Sequence, residues 1–302
     1  NYDEKISMGA VLSGGTLGQL IPPSTNMIVY GTMTGVSVGG LFAGGMSAGI
    51  VLAILYCIYI ALRCGLDKDL CPVMPEEDRK GAKETLLGLK KVFWPCVLII
   101  VVLGAIYAGL ATPTEAAGVG CVGSVVIAVL NRRFTFQHLL NASTGTLKNI
   151  AMVGFITLAA SYFGSVFVAI GGNKFVAEVA SLIPGGSHGL MIALLAIVFF
   201  LGMFIDTIAI IVICAPIFTP LITSYGIDPM WFAVCFMVAL QCGYLTPPFG
   251  FSLFYMKSAA SEDTQLKTIY QSAIPFIGVQ LVGLAICLFA PSLVLWGLNI
   301  MH

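Results

Sequence analysis

Asp206 is the only carboxylate in the apolar run His188–Tyr225, and it lies at its centre. Holding a charge in the middle of a bilayer costs at least about 2.5 kcal/mol, so such a residue is a functional candidate by default. With Thr207 behind it, Asp206 can also cap a helix that starts there, and an acid at a hairpin tip can cap and bind a cation together. Two diproline sequences carry the other chemistry. Ile21-Pro22-Pro23-Ser24 interrupts the apolar stretch Ile6–Tyr30, and Thr246-Pro247-Pro248-Phe249-Gly250 interrupts Met230–Met256 just after Gly243. Each proline lacks an N–H and clashes with the turn before it, which frees upstream carbonyls. In hydrocarbon such groups persist only where protein, water or an ion satisfies them. Freed carbonyls are hard oxygen ligands suited to Na⁺. The half-helix that follows a break begins with the positive end of its dipole, which can hold an anion. Ser24 and Thr25 follow the first break, and Thr246 precedes the second.

This chemistry requires a membrane, and the composition agrees. Of 302 residues, 58% are apolar and 9% charged, with a formal net charge of zero; mean hydropathy is +0.99. A soluble domain carries roughly 25% charged residues. An ordinary soluble enzyme, a disordered chain and, for want of a basic footprint, a nucleic-acid binder are excluded. Seven of the nine cysteines lie in apolar stretches, with Cys64 and Cys71 in a charged loop. No C-x-x-C spacing occurs and the three histidines are scattered, so the cysteines read as apolar space-fillers rather than a zinc site or disulfide framework.

Continuous spans are predicted over Leu41–Leu62, Phe93–Leu110, Ala116–Leu130, Leu147–Ile170 and Ile269–Leu295, each near the roughly 20 residues a bilayer requires. Lys and Arg cluster between Arg63 and Lys91 and at Arg132-Arg133, which makes that side cytoplasmic. The run His188–Tyr225 is either two full helices or a re-entrant hairpin. Charge placement favours a hairpin dipping in from outside, because Met230–Met256 then runs inward and delivers Lys257 and Lys267 to the cytoplasm. Pro72–Lys91 reads as a solvated loop feeding an interfacial helix before Trp94. Asn173, Lys174 and Glu178 mark another interfacial helix. Thr112-Pro113-Thr114-Glu115 spells a capping box, with Thr112 at N-cap and Glu115 reaching back to it.

The chain also repeats itself. A shift of 225 residues superposes Asp3 on Asp228, Gly18 on Gly243, Leu20 on Leu245, Pro22-Pro23 on Pro247-Pro248 and Tyr30 on Tyr255 without a gap. By the topology above, the first stretch runs outward and the second inward. Inverted repeats with broken helices near the midplane point to the binding site of a secondary transporter. The expected fold is therefore an all-α polytopic membrane protein with inverted repeats, discontinuous helices and a re-entrant hairpin.

Three sets of residues resemble a known family. Gly15-Thr16-Leu17-Gly18-Gln19-Leu20-Ile21-Pro22-Pro23-Ser24 with Tyr30-Gly31 is the first. Ile106-Tyr107-Ala108-Gly109 with Thr112-Pro113-Thr114-Glu115-Ala116-Ala117 is the second. Gly202-Met203-Phe204-Ile205-Asp206 with Gly226-Ile227-Asp228 and Leu245-Thr246-Pro247-Pro248 is the third. Together they resemble the large membrane subunit of tripartite ATP-independent periplasmic (TRAP) transporters, in order along the whole chain.

That resemblance implies an elevator-type, sodium-coupled importer of a small organic anion in the bacterial inner membrane. Na⁺ is the coupling ion and no other cofactor is implied. The implied partners are a small four-helix membrane subunit, a periplasmic substrate-binding protein and membrane lipid. Asp206, Thr207, Gly243, Thr246 and Pro247 would form one sodium site, with Thr16 and Gly18 in its mate. Pro22, Pro23, Ser24, Thr25 and Pro248 would line the substrate pocket. Residues 1–35 and 146–260 would belong to the transport domain, and 36–145 and 261–302 to the scaffold. The family's first hairpin is expected just before Asn1, so the chain corresponds to the carboxyl-terminal two-thirds. Sialic acid, C4-dicarboxylates and keto acids are all compatible substrates. A stand-alone dicarboxylate or arsenite carrier of similar architecture is the alternative. A channel lacks its continuous polar stripe here, and an intramembrane aspartyl protease would need a Gly-x-Gly-Asp setting that Asp206 does not have.

Overall fold

Proline, glycine and capping residues divide the chain into helices of very different lengths. The computed structural model describes residues 2–67, 69–72, 82–261 and 264–300. In order these form α1 (Glu4–Leu17), α2 (Thr25–Thr34), α3 (Val38–Leu66), α4 (Ala82–Tyr107), α5 (Pro113–Leu130) and α6 (Phe136–Ala169). There follow α7 (Gly172–Ser181), α8 (Gly186–Gly202), α9 (Thr207–Ser224), α10 (Pro229–Leu245), α11 (Phe251–Ala259), α12 (Leu266–Phe289) and α13 (Pro291–Leu295), which ends in a 3₁₀ turn, Trp296–Ile300. Among the described residues, five helices are long and apolar enough to cross a membrane: α3, α5, α6, α9 and α12. The chain divides into two units, residues 72–154 in one and 1–71 with 155–300 in the other.

The larger unit contains the repeat. Adding 225 to the residue numbers carries α1, α2 and α3 onto α10, α11 and α12. The two copies start in the same way. Asp3 Oδ1 accepts from the Ile6 N–H at 2.9 Å, and Asp228 Oδ1 accepts from the Trp231 N–H at 2.7 Å. Both donors and both acceptors are repeat mates, so each cap satisfies the same orphan amide of its helix. Each first helix then stops at a diproline, α1 before Pro22-Pro23 and α10 before Pro247-Pro248. Both Pro-Pro peptides are cis.

α3 lies against the first break because it is built to let backbone come close. A Cβ on Gly45 would stand 2.6 Å from the Leu20 carbonyl oxygen and 2.1 Å from Met27 Cε. The Leu20–Ile21 turn is thus clasped by α3, although the sequence reading groups these residues with the scaffold. In the smaller unit, α4 and α5 pair, and Thr112 and Glu115 form the expected capping box. Thr112 Oγ1 accepts from the Glu115 N–H at 3.3 Å, and Glu115 Oε2 accepts from the Thr112 N–H at 2.8 Å.

Several boundaries differ from expectation. The last span stops at Phe289 rather than running to Leu295. Ala290 is pushed out of the helical region (φ −126°, ψ 70°) by the proline that follows it. The helix expected along the interface before Trp94 is continuous with its span as α4, with Pro95 inside. Helix α6 begins eleven residues before Leu147, at Phe136, and has 34 residues. Lys68 and the charged run over 73–81 lie outside the described residues. The helix expected at Asn173–Glu178 is α7, which meets α8 at 119°.

Gly45→Val is expected to destabilise the purified protein by about 2–3 kcal/mol, because a backbone carbonyl has nowhere to retreat. Gly104→Ala, where no atom lies within 4 Å of the added Cβ, should be neutral or stabilise by up to about 1 kcal/mol. Thermal unfolding in detergent compares the two; equal midpoints would refute the close-contact account.

Candidate functional site

The hairpin α8–α9 reaches the second break through bare backbone. A Cβ on Gly243 would lie 2.5 Å from the Phe199 carbonyl oxygen and 2.8 Å from Gly202 Cα. Glycine at 243 therefore lets the end of α8 touch the end of α10 and places the Met203–Asp206 tip beside the break. Phe204 and Phe249 seal the contact, with ring centroids 5.9 Å apart. Asp206 is half-buried, and its Oδ2 accepts from the Ile208 N–H at 3.0 Å. The capping reading is thus observed, and one carboxylate oxygen caps α9.

Thr207 faces the other break. Its hydroxyl stands 3.5 Å from Asn26 Oδ1, in the first turn of α2, and both side chains are buried. The starts of α9 and α2 meet here. On the far side of the breaks, buried Thr16 of α1 accepts a hydrogen bond at 3.1 Å from Nε2 of buried Gln241 of α10. The ends of α1, α8 and α10 are thereby joined in sequence by Thr16–Gln241 and Gly243–Gly202.

Within the breaks, serine hydroxyls take up freed carbonyls. Ser24 Oγ donates to the Gln19 carbonyl, and Ser252 Oγ donates to the Tyr244 carbonyl at 2.9 Å. Gln19 and Tyr244 are repeat mates, so the same carbonyl is satisfied in both copies. Thr246 Oγ1 donates to the Cys242 carbonyl at 2.6 Å, and the Tyr270 hydroxyl donates to the Pro248 carbonyl at 3.0 Å. Pro22 and Ser24 are buried; Pro23, Thr25 and Pro248 are exposed. Gly18 is exposed where its mate Gly243 is covered by α8. A cavity of about 360 Å³ opens between α1 and α11, with Thr16, Gln19, Tyr244 and Ser252 in its wall.

The predicted residues therefore fall into two contacts. Gly243 meets Gly202 at the end of α8, four residues before Asp206, while Thr207 is turned toward Asn26 of the first repeat. Thr16 is tied to the second repeat. Sequence reasoning passed over Asn26 and Gln241, since it weighed carboxylates and breaks and not neutral amides. The signal for Gln241 was present: it is Thr16's mate at the 225-residue shift and sits in the otherwise apolar run Phe232–Gly243.

Helix ends carry about half an elementary charge, negative at the C-terminus and positive at the N-terminus. Three negative ends therefore converge at α1, α8 and α10, and two positive ends at α2 and α9. Among the described residues no three His, Cys, Asp or Glu side chains come together. A cation held here would meet hydroxyl and carbonyl oxygens around one carboxylate, a donor set suited to a hard ion. Two Gly-x-Ser-x-Gly strings, Gly45–Gly49 and Gly185–Gly189, do not form the strand-to-helix elbow of a hydrolase. Ser47 lies buried within α3, and Ser187 is in the first turn of α8.

Comparison with known proteins identifies the family. Residues 1–293 match the family model for the tripartite ATP-independent periplasmic transporter, DctM component. The C4-dicarboxylate TRAP transporter large permease protein DctM of Pseudomonas aeruginosa is 33% identical over 295 residues, covering 96% of this chain and 67% of that protein. The sialic acid TRAP transporter large permease protein SiaM of Vibrio cholerae is 25% identical over 295 residues, covering 97% and 67%. The 2,3-diketo-L-gulonate TRAP transporter large permease protein YiaN of Escherichia coli is 25% identical over 299 residues, covering 98% and 68%. With broken helices, hairpin and motifs all in place, this chain belongs to the DctM family of TRAP transporter permease components, which are membrane transport proteins and not enzymes.

Proposed function

We propose that this protein is the carrier of a sodium-driven uptake system for a small organic anion in the bacterial inner membrane. It works with a small membrane subunit and a periplasmic substrate-binding protein that delivers the anion. The observation that supports this reading best is the meeting of helix ends: the C-termini of α1, α8 and α10 are joined through Thr16–Gln241 and Gly243–Gly202, and the starts of α2 and α9 meet at Asn26 and Thr207. The names of the relatives, which include C4-dicarboxylate, sialic acid and diketogulonate permeases, support the substrate class.

Na⁺ at Asp206, Thr207, Gly243, Thr246 and Pro247 neutralises the acid and orders the tip of the hairpin, which is re-entrant from the outer face. A second Na⁺ belongs at Thr16 and Gly18. With both ions in place, the substrate carboxylate is held by the half-helix starts beside Pro22, Pro23, Ser24, Thr25 and Pro248. Residues 1–35 and 146–260, which carry both breaks and the hairpin, are the mobile part, and 36–145 with 261–302 are the scaffold. The smaller unit exposes apolar side chains such as Ile100, Val122 and Leu147, a surface for lipid and the small subunit.

Asp206→Asn tests the site without removing the cap, because asparagine caps a helix as well as aspartate does. Sodium-driven uptake by the reconstituted complex should fall at least about tenfold while assembly persists. Uptake at the normal rate would reject the assignment. Na⁺, unlike K⁺, should raise the thermal midpoint of the native complex and not that of the variant. Gly243→Ala should separate the tip from the break, costing about 1–3 kcal/mol of stability and weakening the dependence on Na⁺. An alanine variant with the parental sodium curve would count against the tip-to-break contact.

A further inference from the structure

Thr16 and Gln241 differ by 225 in residue number and touch each other. For copies related by a two-fold rotation, a residue meets its own repeat mate only close to the axis, so this hydrogen bond marks the place where the two copies face each other. It sits two residues before Gly18 in one copy and two before Gly243 in the other, immediately ahead of both breaks.

A threonine hydroxyl has one proton, and Thr16 Oγ1 donates it to the Ser13 carbonyl at 2.9 Å. Toward Gln241 it accepts, and the amide nitrogen faces it at 3.1 Å. The other end of that amide, Gln241 Oε1, is buried with no hydrogen-bond partner among the described residues, on a side chain that is 1% exposed. A buried acceptor left unsatisfied is unfavourable, and replacing both partners of such a bond by apolar groups of the same shape can be nearly neutral, so the amide adds little net stability here.

We infer that Gln241 is a positioning residue that couples the two broken helices: its amide holds the Thr16 hydroxyl so that ordering one break favours ordering the other. The inference rests on the sodium-driven reading above in taking each break to bind a cation. Thr16 Oγ1 keeps one lone pair beyond the Gln241 bond, and the direction of that lone pair is fixed by the bond. Cation binding at the end of α1 is therefore linked through one side chain to the end of α10, whose Gly243 is the seat of the hairpin.

The test uses the assembled transporter in liposomes, with initial uptake measured against Na⁺ concentration. The parent should respond sigmoidally. Gln241→Met, close in shape but unable to donate, should respond hyperbolically, with half-saturating Na⁺ raised about fivefold, the lower end of typical coupling between sites. Half-saturation by substrate at saturating Na⁺ should not move, which a general loss of packing would not spare. An unchanged sigmoid in Gln241→Met overturns the inference. If that variant does not assemble, Gln241→Asn keeps an amide but withdraws it by one methylene from Thr16, and a sigmoid that survives there overturns the inference equally. Uptake by the parent that ignores Na⁺ would instead overturn the underlying functional reading.

Discussion

Backbone groups released inside an apolar medium must find partners, and the architecture follows from how two helices meet that demand. Each diproline removes two donors, and the carbonyls they leave behind are worth several kcal/mol apiece if stranded in hydrocarbon. The structure satisfies the equivalent carbonyl in each copy, Gln19 and Tyr244, with a serine hydroxyl from beyond the break. The serines themselves, Ser24 and Ser252, are not repeat mates. What the two copies share is the requirement, and each meets it with the hydroxyl its own loop supplies.

The same demand explains why glycine stands at the contacts that matter. Breaks that rely on close neighbours must allow backbone to approach backbone. Gly45 admits the Leu20 carbonyl, and Gly243 admits the end of α8. These approaches bring helix termini together, and termini bring partial charge. The site thus arises from termination of helices inside the protein rather than from a cluster of ionised side chains. One carboxylate, Asp206, sits among neutral oxygens, an economical way to attract a cation in a setting where every charge is costly.

Much of this was legible from the residues. Diproline, lone acid and capping signals are local, so the helix breaks, the Asp206 cap and the Thr112–Glu115 box could be located from short stretches of sequence. The repeat was legible because six identities fall on one register. Two kinds of feature were not. The termination of α12 at Phe289 depends on one proline within an apolar run whose hydropathy never falters, and hydropathy alone carries the eye past it. Asn26 and Gln241 draw their importance from partners 181 and 225 residues away, and an uncharged amide gives no sign of its partner until the chain is folded.

The contact between Thr16 and Gln241 also bears on origin. In an ancestor made of two identical chains, whatever occupied this place would have met a copy of itself across the dyad. Two threonines or two glutamines can each accept the other, since both side chains donate as well as accept. Two halves within one polypeptide are under no such obligation to match, and here the pair is unlike and directional, the Gln241 amide donating and the Thr16 hydroxyl accepting. A single hydrogen bond thus tells the two halves apart at the place where they would otherwise be interchangeable.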